Sequence, residues 1–464
     1  MRYATARQHL RVYRSSYFGA FVVFLLAGYA VLGRGFAYLG LPPIFIGEIG
    51  LLLAIATICY RFHPILLRSP ITWLLIFFMS WCVLCTFPYI ETYGLFALRD
   101  GVIWAYAVYS LAVATIVLRF NAIHQVVELY GRSVPYFLVL ALVLQIVALI
   151  AGNLIPQWPW APGVSIIQIK PGDLAVHYAG IIVFVTLGLS VTAYRLKWIV
   201  LWMLGVGPAV LAGRGSMLTL GVVMLLLTLL RPTRRFSYVI VLLLFSVVVL
   251  YVTDFEVDSH SSGRTISIEQ FLANLQSLTG VGEGAEHLEG SKRWRQAWWD
   301  GIINYTFSGQ YFWTGKGFGI NLADADGFQA SDDGSLRSPH NAHMTILARA
   351  GVPGLVLWAG LQLYFGLKLF LNFLADRHAK RDWLANLQLW LLLYWTAFII
   401  NGSFDVFLEG PQGGIWFWCV IGFGLAVIVA RQEALRTKSD ASMKLGPRMR
   451  HVGQEIGAIQ HVKL

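Results

Sequence analysis

Charge is what this chain has least of. Only 13% of its 464 residues are Asp, Glu, Lys or Arg, while 57% are hydrophobic. So little polar surface excludes an ordinary globular domain dissolved in water. Cysteine is scarce too: Cys59, Cys82, Cys85 and Cys419 all fall inside apolar runs. That placement excludes a disulfide framework and makes them small packing residues. No cluster of His, Cys, Asp or Glu has the spacing of metal ligands, so no structural zinc and no cofactor is expected, while a magnesium held by carboxylates and a diphosphate stays open. The apolar runs are continuous and do not alternate, which excludes a transmembrane β-barrel. No inverted internal repeat of the kind found in many secondary transporters is present. The basic residues are scattered over short loops, which leaves no footprint for a nucleic-acid partner.

What remains suits hydrocarbon. Apolar runs of roughly 17 to 25 residues, the length of a helix that crosses about 30 Å of lipid, recur along the chain. They fall at 17–33, 43–60, 71–88, 101–118, 135–152, 175–193, 197–212, 216–230, 236–252, 341–367, 386–404 and 412–431. The expected fold class is all-α: a polytopic membrane protein of about twelve transmembrane helices. Runs seven and eight meet at "LAGRGS" and suggest a tight hairpin. No cleavage site follows the first run, which is therefore read as a retained span.

Lys and Arg set the orientation. With the N-terminus in the cytoplasm, 24 of the 35 basic residues fall on the cytoplasmic side, ten on the other, and Arg349 within a span. Both termini are thus expected inside, with the net charge of +11 directed mainly at lipids of the inner leaflet. The chain divides into a bundle of nine spans over 1–252, a long loop over 253–340, three spans over 341–431 and a polar, mobile tail over 432–464. The loop lies on the side away from the cytoplasm. It holds twelve of the 24 Asp and Glu but only six Lys and Arg, a net charge of −6, so its few cations stand out.

Within that loop, "TISIEQFLANLQSLTG" predicts a short helix ended by Gly280. "SKRWRQAWWDGIINYTF" spaces Trp294, Trp298 and Ile302 at helical intervals, with Trp299 and Ile303 beside them. That pattern predicts an aromatic face lying at the membrane interface. "WTGKGFG" predicts irregular backbone, and Pro339 in "RSPHN" suits the start of a helix.

Three groups on that side carry chemistry. Arg214 lies between Gly213 and Gly215, which leave room for a phosphate oxygen; the plainer reading is an Arg reaching to lipid headgroups. Arg295 sits one turn from Trp298 and Trp299 and offers a planar fork suited to a diphosphate, or simply to lipid phosphates. In "RSPHNAHM", His340 near a helix start is a candidate base, because the helix dipole disfavours its protonated form. Arg337 and His343 are candidate helpers, and Asn341 either orients an imidazole or caps the helix. Lys170, Asp173 and His177 in "KPGDLAVH", and Asp405 and Glu409 in "NGSFDVFLEG", reach the same side as sugar ligands or as caps and ion pairs.

"GRGS", "RWRQAWW…FWTGKGFG" and "RSPHNAHMTILARAGVPGLVLW", with the span count and the loop, resemble the O-antigen ligase and polymerase superfamily over about 205 to 425. The resemblance implies a GT-C-like membrane glycosyltransferase of the bacterial inner membrane, with its active site facing the periplasm. It implies a donor glycan on undecaprenyl diphosphate and an acceptor that is lipid A–core or another growing glycan, with no metal. It further implies that Arg214 and Arg295 hold the diphosphate and that His340 deprotonates the acceptor hydroxyl, with inversion at the anomeric carbon. Ligase is the reading preferred here over polysaccharide polymerase. A transporter of a lipid-linked sugar or small anion would place polar groups at mid-membrane, where the sequence has few.

Overall fold

A backbone surrounded by apolar side chains and lipid must bond to itself, and helix is the result along most of this chain. The computed structural model describes residues 17–190, 196–211, 213–233, 236–243, 252–253, 256–259, 264–279, 286–332 and 334–444. Its helices are α1 (Tyr17–Leu32), α2 (Ile46–Arg61), α3 (Pro70–Thr86), α4 (Leu95–Ala105), α5 (Val108–Arg119), α6 (Ile123–Ala151), α7 (Pro171–Thr186), α8 (Leu196–Leu211) and α9 (Arg214–Leu230). The loop contributes α10 (Ile268–Thr279), α11 (Glu286–Phe307) and α12 (Leu322–Asp326); α13 (Ala342–His378), α14 (Asp382–Gly402) and α15 (Pro411–Lys444) follow. Three two-stranded hairpins are the only sheets among the described residues.

Five of these helices are long and apolar enough to cross a membrane, six if α4 and α5, bent by 40°, form one broken span. Shorter apolar helices, α1, α7, α8 and α9, accompany them. The expected run at 101–118 is thus divided at Tyr106 and Ala107, and the expected 341–367 continues to His378. The polar tail expected from 432 is helical as far as Lys444. The N-terminal segment expected in the cytoplasm, residues 244–251 of the span expected at 236–252, Gly280 and residues 445–464 lie outside the described residues.

α7 is the centre of the bundle. Every residue from Asp173 to Thr186 is buried, as a helix apolar on all faces requires. It packs against α8, α9 and α14, while α15 runs along α5 and α13 lies between α3 and α14. At the end away from the loop, the buried Asp376 carboxylate accepts from Arg431 Nε at 2.8 Å and also meets Arg381 and Gln388. Arg231 pairs with Asp382 at 2.7 Å on the same end. These bonds tie α9, α13, α14 and α15 together there.

α13 is broken at Gly351, whose φ of 67° lies in the left-handed region. A Cβ there would stand 2.5 Å from the Phe312 and Trp313 carbonyl oxygens, so only glycine fits. The break exposes backbone groups, and the "WTGKGFG" segment satisfies them. Lys316 and Gly317 N–H donate to the Ala348 and Arg349 carbonyls at 2.7 and 3.1 Å, and Val352 N–H donates to the Phe312 carbonyl at 2.8 Å. The loop is therefore sewn to α13 just beneath its N-terminus.

The aromatic face of α11 does not lie on the membrane interface as the spacing suggested. Trp298 and Ile302 are fully buried and pack on Leu322, Ala323, Leu347 and Ala348. Trp298 Nε1 donates to Asp326 at 2.6 Å, and its ring stacks on Phe328. Periodicity reveals that a face is apolar; it does not reveal whether lipid or protein covers it. Here protein does.

Candidate functional site

Two polar residues, Asn401 and Ser403, end α14, and Pro411 opens α15; the eight residues between form a tight connection. Its first turn, Ser403 to Asp405, is the meeting point of the loop and the bundle. Arg295 Nη1 on α11 donates to the Phe404 carbonyl at 3.0 Å. The start of α9 approaches from the other side: a Cβ on Gly215 would lie 3.8 Å from that of Phe404. His340 Nδ1 lies 3.6 Å from Asp405 Oδ1. Lys170 Nζ, just before α7, donates to both Asp405 oxygens at 3.1 Å. Arg295, His340 and the start of α9, on which Arg214 stands, are thus placed around one turn.

His340 is set by its neighbours in three ways. Asn341 caps α13, its side-chain oxygen accepting from His343 and Met344 N–H at 2.9 and 3.2 Å. Trp299 Nε1 donates to the Pro339 carbonyl at 2.9 Å, pinning the preceding residue to α11. His340 itself has φ of 53°, a conformation that costs a non-glycine residue about 1 kcal/mol or more. Its ring is 28% exposed, open enough to meet a ligand. At 3.6 Å the contact with Asp405 is longer than a hydrogen bond, but it is an ion-pair distance.

Burial opposes ionisation of Asp405, but His340 and Lys170 more than offset it, holding this carboxyl well below the usual carboxylate range. Glu409, further along the connection, behaves the opposite way. Burial pushes its carboxyl up, against the pull of Thr345, Arg349 and Ser338. Thr345 Oγ1 donates to Glu409 Oε1 at 2.8 Å, which fastens the connection to the first turn of α13.

The two histidines of "PHNAH" differ in kind. Trp358 Nε1, which can only donate, lies 2.9 Å from His343 Nδ1. That nitrogen must therefore be unprotonated, so the ring is neutral and carries its proton on Nε2. Nε2 in turn donates to Ser403 Oγ at 3.1 Å, and Ser403 Oγ donates to the Ile399 carbonyl at 2.8 Å. Both nitrogens of His343 are engaged, and its role is to hold the 403–405 turn in place.

Arg337 faces away from the turn. Its Nη2 pairs with Asp100 at 2.9 Å and donates to the Gly319 carbonyl at 2.8 Å. Buried Arg349 takes the same Asp100 oxygen at 3.0 Å. Asp100 is a residue the sequence reading passed over; an acid isolated in the apolar run "LFALRDGVIW" was its only signal. Asp173 is buried in the first turn of α7, close enough to Asp405 and Lys170 to feel both charges. His177 does not join them. It lies more than a turn deeper, its Nδ1 2.8 Å from Tyr394 Oη, among Phe137, Phe398 and Trp416. No group of three or more His, Cys, Asp or Glu able to hold a metal ion occurs among the described residues.

The amide N–H groups of the first turn of α9, from Arg214 onward, have no helical carbonyl to bond, as in any helix. A Cβ on Gly213 would meet nothing nearer than Ser216 Oγ at 3.7 Å. Neither glycine is forced by a positive φ; their effect is to keep the helix start open beside Arg214. A helix N-terminus, the Arg295 guanidinium and the Lys170 ammonium group around one turn suit an anion, and an imidazole with a carboxylate at Nδ1 suits proton abstraction.

Comparison with protein families finds one match: residues 198–359 fit the family described as O-Antigen ligase. That stretch holds Arg214, Arg295, His340 and the broken part of α13, but ends before Asp405. No curated protein matches the chain.

Proposed function

We propose, for a chain whose residues 198–359 belong to the O-antigen ligase family, that the site transfers a glycan from undecaprenyl diphosphate to a hydroxyl of lipid A–core. The observation that carries this reading is the placement of Arg295, His340 and the α9 start around the Phe404–Asp405 turn. Arg214 and Arg295 hold the donor diphosphate. His340 Nδ1 faces Asp405, which leaves Nε2 to take the acceptor's proton. The acceptor oxygen bonds to the anomeric carbon as the carbon–oxygen bond to the diphosphate breaks, and the bonding electrons leave with the diphosphate. Charge grows on that leaving group, so the two arginines stabilise the transition state more than the ground state. A base opposite the leaving group gives inversion. The reaction belongs on the periplasmic face of the inner membrane.

The test is transfer by the purified chain in nanodiscs, with a defined polyprenyl-diphosphate glycan as donor. His340→Ala is expected to lower transfer by roughly 10²- to 10⁴-fold while donor binding persists. Arg214→Ala and Arg295→Ala are expected to weaken donor binding as well as rate. Full transfer by the His340 variant removes this residue from the mechanism. Lipid A–core and a second donor molecule, offered together, separate ligase from polymerase by which product forms.

A further inference from the structure

Asp405 has two suitors, and in this structure Lys170 holds it. Both carboxylate oxygens lie 3.1 Å from Lys170 Nζ, and Oδ1 also accepts the Val406 N–H at 2.8 Å. His340 Nδ1 is left at 3.6 Å from that same Oδ1, outside hydrogen-bonding distance. The carboxylate that would orient the base is thus engaged by a cation. We propose that Lys170 is a third diphosphate-binding cation, and that its departure toward the donor releases Asp405 to His340, so that the base is completed only when donor is present.

The geometry allows the exchange. The Lys170 backbone is fixed, because its carbonyl accepts from Asp173 and Leu174 N–H at the start of α7. Its ammonium rides on a flexible four-carbon stem with donors that rotate freely, unlike the rigid fork of Arg. Side chains of Lys170, Asp405 and His340 are 36%, 24% and 28% exposed, so all three border open space. Other charges facing this group are Asp173 near the start of α7, the guanidinium of Arg34 near Asp173 and Arg295 at the Phe404 carbonyl; the start of α9, which carries Arg214, lies beside Phe404. A doubly negative diphosphate attracts an ammonium group more strongly than one carboxylate at the same distance does. Freed of Lys170, Asp405 Oδ1 needs to close only the last part of an ångström to accept the His340 Nδ1–H. The bond fixes the tautomer that presents Nε2 as base and stabilises the imidazolium that forms. Lys170 acts on the reaction through Asp405 and on the donor directly.

This inference rests on the reading of His340 as the base, and one experiment separates the two. The probe is geranylgeranyl diphosphate, a lipid diphosphate with no sugar to transfer, added to ¹⁵N-histidine-labelled full chain in nanodiscs. The readout is the downfield Nδ1–H resonance of His340, assigned by its loss in His340→Gln. In the wild type this resonance is expected to be weak without probe and strong at saturation. In Lys170→Met it is expected to be strong already without probe, and the probe's Kd is expected to rise about tenfold. In Asp405→Asn it is expected to be absent in both states. A wild-type resonance indifferent to saturating probe overturns the coupling, as does a Lys170→Met spectrum like that of the wild type. If His340→Ala retains full transfer, the base assignment falls whatever the spectra show. If transfer needs His340 but the resonance ignores the probe, the coupling alone is wrong.

Discussion

His340 combines a strained backbone with an exposed imidazole, and the two are separable by mutation. At φ of 53° a β-carbon crowds the backbone, and glycine relieves that crowding. His340→Gly and His340→Ala lose the same ring, so both are expected to be inactive. The glycine variant is expected to be more stable than the alanine variant by about 1 kcal/mol, read from their unfolding midpoints in detergent. Equal midpoints, or a more stable alanine variant, would mean the strain is not real. The sequence placed His340 at a helix mouth by residue type and by Pro339, but it carried no sign of the dihedral angle. It ranked His340 above His343, three positions on, but left open whether the second histidine helps the first or only holds structure. Trp358 makes that distinction by donating its indole N–H to His343, and such a contact has no local spacing to betray it. Asp405 was visible only as one polar residue among several, because its partners Lys170 and His340 come from distant parts of the chain.

Helices and their connections are where an unpaired acid becomes a structural tie. Asp100 on α4 receives Arg337, Arg349 and the Gly319 N–H together, joining the broken span to the loop and to α13. Removing it leaves the nearly inaccessible Arg349 guanidinium without its counter-charge, and breaking a buried pair from one side costs about 3 to 5 kcal/mol. Asp100→Ala is therefore expected to lower the unfolding midpoint in detergent markedly. Arg337→Ala is expected to lower it less, because Asp100 keeps Arg349. A smaller loss from Asp100→Ala than from Arg337→Ala would refute the clamp. The positions of α7, α9 and α13 were close to legible from apolar runs alone, since lipid and core both demand them. The break in α13 was not, although its cause, Gly351 followed by Pro353, stands in the sequence. Glycine and proline permit a break; the carbonyl-capping loop from Phe312 to Gly317 makes it stable. For α11 the period was right and the covering was wrong, because Leu322, Ala323, Leu347 and Ala348 come from other elements.

Across the whole molecule, α13 is the ruler. Its 37 residues make roughly 55 Å of helix contour, with the His340 turn at one end and the Asp376 cluster at the other. One sidedness measurement therefore orients both ends. The sequence expectation is that the Asp376 end faces the cytoplasm, because Lys and Arg favour that side and the 253–340 loop on the site side is net acidic. The native cysteines make this easy to check, since Cys82, Cys85 and Cys419 are buried and Cys59 is exposed. In a Cys59→Ser background, Ala330→Cys marks the loop and Ala379→Cys marks the turn after α13, both at exposed positions. A membrane-impermeant maleimide applied to intact spheroplasts is expected to label Ala330→Cys at once and Ala379→Cys only after permeabilisation. The reverse pattern would put the site in the cytoplasm, beside nucleotide-activated sugars, and would make a lipid-linked donor presented at the opposite face unreachable.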